Sequence, residues 1–333
     1  MKVLVLGATG FLGSNLVRAL LTKGYQVRAM VRPTRPAGRV DTLIELDIER
    51  VTGDLNDPGS LARACQGVQV VYQAASYYPS STIPVQAAIS QALGETNNLL
   101  TAVRRASPGI ERLVFISTLT TIGFPPDRTS LASEDCPFVS LYPDNPYLMS
   151  KAAMETAVFD AARNGVPAVV VNPTGCYGPY DSKPTSGMQI LMIAKRQMPA
   201  YVQAQMNAID VRDVAVGLIK AAERGRVGER YILGNWNTTQ RDLNALIARV
   251  AGVRPPMIPV PFGVARYGSK FGDWAFRTVL RKPAPVPGFF VEMLDHMQQY
   301  DCSKGIRELD YPRHPIEPAV RDALAWFRSN GYL

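Results

Sequence analysis

Histidine and cysteine are scarce in this chain, and their scarcity argues against a metal site. The only histidines among the 333 residues are His296 and His314. A structural zinc ion takes four Cys or His ligands at short, regular spacings. The cysteines lie far apart without such spacing: Cys65, Cys136, Cys176 and Cys302. We therefore predict no metal site, and scattered thiols of this kind suit the reducing cytoplasm.

Long apolar runs and charge clusters are also missing. No stretch reaches the ~18 uninterrupted apolar residues of a membrane span. Met1-Lys2 leads straight into an apolar strand, unlike a signal peptide, so we expect a cytoplasmic protein. Lys and Arg outnumber Asp and Glu by 36 to 28, giving a net charge of +8, but they are dispersed. This favours an anionic cofactor or a solvated surface over a nucleic-acid partner.

The first half of the chain alternates apolar β-branched runs with helical patterns. Such alternation predicts an α/β fold with a doubly wound parallel sheet, the Rossmann architecture, covered by helices on both faces. The expected strands are residues 3–6, 26–31, 48–52, 68–72, 112–116 and 168–171, with 230–233 as a further strand. The expected helices are residues 11–23, 88–105, 147–163 and 213–224.

The first strand runs into the first helix through three glycines, Gly7, Gly10 and Gly13. The first allows a tight turn, the second lets backbone N–H groups approach a pyrophosphate, and the third lets the helix pack against the strand. The positive end of the helix would face the phosphates. The loop therefore predicts a dinucleotide site, with contacts from Gly7, Thr9, Gly10, Phe11, Leu12 and Gly13.

The end of the second strand indicates which dinucleotide binds. An acidic residue about 20 residues beyond the loop would bind the adenosine ribose hydroxyls. Here the chain has Arg32 and Arg35, and no acid occurs before Asp41. A guanidinium matches a 2′-phosphate bidentately, so we predict NADP(H), with Arg32 as the main contact. The alternative is that Arg32 stacks on the adenine and NAD(H) also binds.

A second constellation suits proton transfer. Tyr147 and Lys151 form Tyr-x-x-x-Lys, which places both side chains on one face of a helix. A nearby ammonium, together with the cationic nicotinamide of an oxidised cofactor, would lower the pKa of the phenol. Ser117 and Thr118 stand at the carboxyl end of the fifth strand, where a hydroxyl can hydrogen-bond a substrate carbonyl.

With these motifs in order, the chain resembles the extended short-chain dehydrogenases/reductases, the NAD(P)-dependent epimerase/dehydratase family. Within it, the chain looks most like dihydroflavonol-4-reductase-like proteins and the hopanoid-associated sugar epimerases. The resemblance covers essentially the whole chain. It includes residues 53–55, 74–75, 172–173, 177–179, 211–215 and 326–327.

The resemblance implies roles for individual residues. Tyr147 would be the acid/base, Lys151 would tune it and hold the nicotinamide ribose, and Thr118 would orient the substrate oxygen. Asp54 would approach the adenine. The remaining implied cofactor contacts are Leu55, Ala74, Ala75, Ser117, Pro173 and Thr174.

Two positions depart from the sugar-nucleotide members of the family. These usually carry an arginine that clamps the substrate diphosphate, where this chain has Met206. They also often carry an asparagine where this chain has Gly175. An anionic diphosphate needs charge-assisted hydrogen-bond donors, so both departures make a sugar-nucleotide substrate a weaker prediction.

After residue 173 the pattern becomes irregular and predicts a smaller, discontinuous substrate-binding lobe. The dinucleotide-binding domain would comprise 1–173, 206–237 and 298–312, and the lobe 174–205, 238–297 and 313–333. Its methionines and aromatic residues would line an apolar pocket or simply form core. The amphipathic stretch 264–280 would be a substrate lid, a membrane-surface contact or plain lobe structure, and the sequence favours the lid.

We therefore expect an NADP(H)-dependent oxidoreductase that transfers hydride between the nicotinamide and a substrate carbonyl or alcohol carbon. One alternative is a nucleotide-sugar epimerase or dehydratase with a tightly bound NAD(P). A second is a non-catalytic NADP-binding sensor. The expected partner is a small-molecule carbonyl or sugar-derived substrate, with neither nucleic acid nor a membrane surface expected as a partner. The expected assembly is a monomer or homodimer.

Overall fold

Parallel strands dominate the computed structural model, which describes residues 1–33, 40–75, 77–79, 83–127, 129–278 and 288–333. The strands in this part of the chain are β1 Lys2–Leu6, β2 Gln26–Val31, β3 Glu49–Thr52, β4 Val70–Gln73, β5 Arg112–Ile116, β6 Ala168–Pro173, β7 Gly175–Tyr177, β8 Ala200–Val202, β9 Gln205–Asp210, β10 Arg230–Leu233, β11 Trp236–Thr239 and β12 Ile258–Val260.

Helices follow most of these strands. They are α1 Phe11–Thr22, α2 Pro58–Cys65, α3 Val85–Ala106, α4 Pro146–Arg163, α5 Gly187–Ala194, α6 Val211–Arg224, α7 Gln240–Ala251, α8 Phe262–Thr278, α9 Gly288–Asp295, α10 Ser303–Leu309 and α11 Ile316–Ser329.

The main sheet has seven parallel strands in the order β10-β6-β5-β4-β1-β2-β3. The chain starts in the middle of the sheet, builds outward to β3, then returns and builds the other half. This is the doubly wound order, so the predicted fold class is confirmed. The order reverses between β1 and β4, and ligands of such sheets bind at the carboxyl ends of the strands at that point.

Alternate residues of the central strands feed two separate cores. On one face, Val3 and Val5 pack with Leu16 of α1 and Leu218 of α6. On the other face, Leu4 and Leu6 pack with residues of α3 and α4 such as Leu99 and Val158. Burial on both faces explains why the strands are continuously apolar rather than alternating.

A third core lies outside the main sheet. It joins α5, α7 and α11 to β7 and β9, with Phe327 and Leu243 fully buried. A small sheet in the order β11-β9-β7 and a two-stranded pair, β12 with β8, complete this smaller lobe. In the described residues, no helix combines the length and the apolar character needed to cross a membrane.

Candidate active site

The glycine loop after β1 is too crowded for side chains at two positions. Gly7 has a φ of +77°, and a Cβ there would lie 2.4 Å from the backbone nitrogen of Ala75. A Cβ at Gly13 would lie 2.2 Å from the carbonyl oxygen of Gly7. Glycine at these positions therefore permits both the turn and the close approach of α1 to the strand.

The N-terminus of α1 is prepared for an anion. Its N-cap, Gly10, provides no side-chain acceptor, and the first turn contains no acidic residue. By contrast, Asn145 caps α4 and Asp210 caps α6 through their side chains. The first N–H groups of α1 and its positive dipole end are thus available for a phosphate.

A cavity of about 580 Å³ lies along the carboxyl ends of β1, β2 and β4. Eight predicted cofactor contacts line it: Gly7, Thr9, Gly10, Arg32, Asp54, Leu55, Ala74 and Ala75. Its other lining residues include Asp41, Arg50, Ser182 and Lys183, which the sequence reasoning did not identify. The glycine cradle, the uncapped helix and this elongated cavity fit a dinucleotide.

Two arginines stand at the adenosine end of this cavity. Arg32 is largely exposed, and its Nε lies 3.7 Å from a carboxylate oxygen of Asp54. The Asn56 backbone hydrogen bond and the nearby Arg32 hold the pKa of Asp54 below its usual range despite partial burial. Arg50 of β3 is fixed by Asp41, with 3.1 Å between Nη1 and Oδ2. Arg35 lies outside the described residues.

The start of α4 fixes the Tyr-x-x-x-Lys pair. The Asn145 side chain accepts hydrogen bonds from the backbone N–H groups of Tyr147 and Leu148, each at 3.1 Å. Pro146 occupies the first turn, where its missing N–H costs nothing. Tyr147 and Lys151 are consequently buried on successive turns, with the Lys151 Nζ 5.6 Å from the Tyr147 ring centre.

Threonine hydroxyls surround the Tyr147 hydroxyl. Thr118 and Thr120 both hydrogen-bond it, and their own Oγ1 atoms are 3.3 Å apart. Burial nevertheless raises the pKa of Tyr147, and these two hydrogen bonds only partly oppose the rise. This differs from the lowered pKa expected from the sequence, because desolvation of the phenolate outweighs the two threonine hydrogen bonds.

Lys151 is buried as well. Desolvation lowers its pKa to about 8, although the Glu95 carboxylate of α3 favours the charged form. An ammonium that titrates near neutral pH can change its charge when a ligand enters the site.

Tyr78 connects this pair to the cavity. Its ring centre lies 5.1 Å from that of Tyr147. On the cavity side, the Nζ of Lys183 lies 6.0 Å from the Tyr78 ring centre. Tyr78 therefore lies between the Tyr147 phenol and Lys183 of the cavity lining, whereas Tyr147, Lys151 and Thr118 do not themselves line this cavity.

Behind Thr118 lies a buried polar network centred on Glu155 of α4. Its carboxylate accepts hydrogen bonds from Ser117, from Thr121 at 2.6 Å and from Asn172 at 3.0 Å. Its second oxygen pairs with Arg230 of β10 at 3.1 Å. The network ties α4 to the ends of β5, β6 and β10, and no sequence spacing revealed it.

Several predicted contacts lie apart from the lining of the cavity. The Ser117 hydroxyl donates to Glu155, and Leu12 packs against the first core. Pro173 ends β6, and the Thr174 hydroxyl donates to Asn207 at 2.7 Å. Phe11 begins α1. Among the described residues, no three His, Cys, Asp or Glu side chains are grouped to hold a metal ion.

Residues 3–234 of this chain match the model of the NAD dependent epimerase/dehydratase family. The chain belongs to this family and is an NAD(P)-dependent enzyme of the extended short-chain dehydrogenase/reductase type.

Three similar proteins span essentially the whole chain. A protein described as putative dihydroflavonol 4-reductase, from Synechocystis sp., is 38% identical over 99% of this chain and 95% of its own. Sterol demethylase protein B of Methylococcus capsulatus is 30% identical over the full length of both. The crystal structure of PA4631, a nucleoside-diphosphate-sugar epimerase from Pseudomonas aeruginosa, is 28% identical, with a TM-score of 0.84 over 100% of this chain and 99% of its own.

Proposed function

We propose that this protein is an NADP(H)-dependent carbonyl reductase or, in reverse, an alcohol dehydrogenase. The observation that carries the proposal is the buried Tyr147 hydroxyl, which is hydrogen-bonded to Thr118 and Thr120 and lies one aromatic ring, Tyr78, away from Lys183 of the dinucleotide cavity. The relative from Synechocystis that spans the chain is described as a reductase, which supports this reaction class over a sugar-nucleotide reaction.

Residues of the cavity support the choice of NADP(H). Gly7, Gly10 and the first turn of α1 would hold the pyrophosphate. Arg32, exposed at the end of β2, would bind the 2′-phosphate, because a guanidinium offers bidentate donors. Arg50 would add a second positive charge from β3. Asp54 would lie near the adenosine, and Ala74 and Ala75 would leave room for the cofactor.

The proton would move through Tyr147. When bound, the nicotinamide supplies or accepts hydride at its C4. In reduction, the Tyr147 hydroxyl donates its proton to the substrate oxygen, and Thr118 donates a hydrogen bond that orients that oxygen. Lys151 stabilises the resulting phenolate and binds the nicotinamide ribose. Pro173 and Thr174 would bound the nicotinamide side.

The substrate would bind between the dinucleotide-binding domain and the smaller lobe. Tyr147 packs in an apolar cluster with Tyr142 and Leu148, against which Phe262 and Met293 also pack. Apolar surroundings of the reacting hydroxyl would favour an apolar carbonyl compound over a sugar nucleotide. We expect a monomer or homodimer.

A nucleotide-sugar epimerase is the second candidate, because PA4631 carries that description. An epimerase would begin with the same hydride step and return the hydride to its substrate. Met206, in the place expected for a diphosphate-binding arginine, is buried in β9 and packs in the third core. This weakens the candidate, since the position offers no donor to a diphosphate.

Two measurements test the proposal. Titration calorimetry should show tighter binding of NADPH than of NADH. The substitution Arg32→Ser should remove most of this difference in affinity. A panel of ketones and aldehydes should include substrates that oxidise NADPH stoichiometrically. Equal affinity for both cofactors would overturn the NADP(H) assignment. Binding of UDP-, GDP- or dTDP-sugars without net cofactor turnover would favour the epimerase.

A further inference from the structure

The outer face of α8 carries an apolar stripe that is open to solvent. Val264, Tyr267, Phe271 and Trp274 are spaced at helical intervals along one side, and each is between 57% and 71% exposed. The rings of Phe271 and Trp274 contact each other, with 5.6 Å between their centres. Large apolar side chains grouped in this way on a surface indicate an interaction site.

The opposite side of α8 is already attached to the body of the protein. Phe262 packs into the cluster that contains Tyr142 and Tyr147. The Arg266 guanidinium lies 4.9 Å from the centre of the Tyr142 ring. Lys270 pairs with Glu292 of α9, with 3.0 Å between Nζ and Oε1. Val264 is two residues from both Phe262 and Arg266, so the stripe points away from the active-site cleft. This arrangement disfavours a lid that closes over the substrate.

We propose that this stripe docks on the surface of a lipid bilayer that contains anionic headgroups. Tyr, Phe and Trp on one face of a helix are typical of helices that lie in the membrane interface. Arg266 and Lys270 of α8 pair with Glu292 at 3.8 Å and 3.0 Å, so the attraction to anionic headgroups comes from the net charge of +8 of the whole chain. An anionic leaflet attracts such a surface.

The same charges argue against a second copy of the chain as the occupant. Two molecules that each carry +8 repel one another. A stripe of four side chains is also small beside the about 1,200–2,000 Å² that stable protein interfaces bury. Binding to a bilayer needs no minimum buried area of this kind, because each inserted side chain adds its own binding free energy.

The position of α8 also bears on the substrate. The helix begins at Phe262, whose side chain packs against the Tyr147 cluster, so the docked face and the cleft share one element. If the protein is the proposed reductase, this placement implies an apolar carbonyl substrate. Such a substrate would partition into the bilayer and reach the cleft from the bilayer surface.

Vesicle flotation tests the docking without using activity, so the proposed reaction and the docking can fail separately. The intact protein should float with vesicles of phosphatidylcholine and phosphatidylglycerol, less with phosphatidylcholine alone, and less as salt increases. Phe271→Ser with Trp274→Ser should weaken partitioning by about tenfold or more for each aromatic removed. Val227→Ser with Leu131→Ser removes comparably exposed apolar side chains elsewhere and should leave flotation unchanged.

Fluorescence and sedimentation complete the test. Trp274 emission should shift to the blue on adding anionic vesicles, and Trp274→Phe should abolish the shift. Circular dichroism should show that the variants remain folded. The proposal is overturned if the wild type does not float at low salt, or if the double aromatic variant floats equally well. A dimer in sedimentation that this variant dissociates, without vesicle binding, would overturn it in favour of a protein interface.

Discussion

At the scale of single residues, the environment of Tyr147 decides what the site can do. Its hydroxyl lies among the hydroxyls of Thr118 and Thr120, with the Lys151 ammonium on the next helical turn. The Tyr-x-x-x-Lys spacing pointed to the two α4 residues, and the family resemblance together with its place at a strand end pointed to Thr118. Thr120 was not predicted. Its hydroxyl comes close to Tyr147 only because residues Leu119–Thr121 form a 3₁₀ turn, which the sequence did not indicate.

Replacing Tyr147 by phenylalanine should abolish proton transfer while preserving the shape of the site. We expect kcat on a verified carbonyl substrate to fall by about 10²–10⁴-fold, the usual contribution of a general acid. NADPH binding should be unchanged. Tyr72→Phe is the matched control, because Tyr72 is equally buried but lies in the first core. Near-normal turnover by Tyr147→Phe would remove Tyr147 from the mechanism.

The buried ammonium of Lys151 should make stability depend on pH in a defined direction. Burial lowers its folded pKa to about 8 from 10.5. Between these two pH values the Lys151 side chain binds more protons in the unfolded chain than in the folded protein. The free energy of unfolding therefore increases with pH over this range. Lys151→Met should therefore stabilise the cofactor-free protein most below pH 8, and the gain should shrink towards pH 10.5.

Urea denaturation across this pH range measures the effect. Lys195→Met provides the control, since Lys195 is exposed on the surface. A stability difference between Lys151→Met and the wild type that does not vary with pH would contradict a strongly shifted pKa.

At the scale of elements, the glycine loop was the most predictable part of the molecule. A buried strand, three spaced glycines and a helix dictate one local geometry, and the crowding at Gly7 and Gly13 agrees with it. The Glu155–Arg230 pair was not predictable, because 75 residues separate the partners and only the sheet order brings α4 and β10 together.

Gly13→Ala tests the close packing of α1 on its strand. The added methyl would meet the Gly7 carbonyl oxygen at 2.2 Å, so we expect a loss of about 1–3 kcal/mol of stability and much weaker NADPH binding. Gly94→Ala is the control within α3, where nothing lies within 4 Å. It should raise stability by about 0.5–1 kcal/mol. Equal effects of both changes in denaturant titrations would refute the packing argument.

Arg230→Met tests the network behind the site. The change leaves the Glu155 carboxylate buried without its cation, which typically costs about 3–5 kcal/mol. Arg226→Met breaks the exposed pair with Glu308 and should cost far less. Chemical denaturation of the two variants gives the comparison. Similar losses would mean that the buried pair has no special role in tying α4 to the sheet.

At the scale of the whole molecule, the chain divides its tasks between two regions. The doubly wound sheet presents the dinucleotide cavity and the Tyr147 site at the carboxyl ends of its strands. Alternating apolar runs were sufficient to predict this sheet. An amphipathic helical face in the stretch 264–280 was also predicted, and α8 lies there, but the direction of this face was not predicted, because periodicity defines a face without saying what covers it.

Transfer of labelled hydride tests the central claim most directly. NADPH deuterated at C4 would be incubated with the enzyme and each carbonyl that oxidises it, and the products analysed by mass spectrometry. The account predicts one deuterium on the former carbonyl carbon per NADPH consumed, from one face of the nicotinamide, and labelling that is about 10²–10⁴-fold slower with Tyr147→Phe. Unlabelled products, or epimerised nucleotide sugars formed without NADPH consumption, would contradict it.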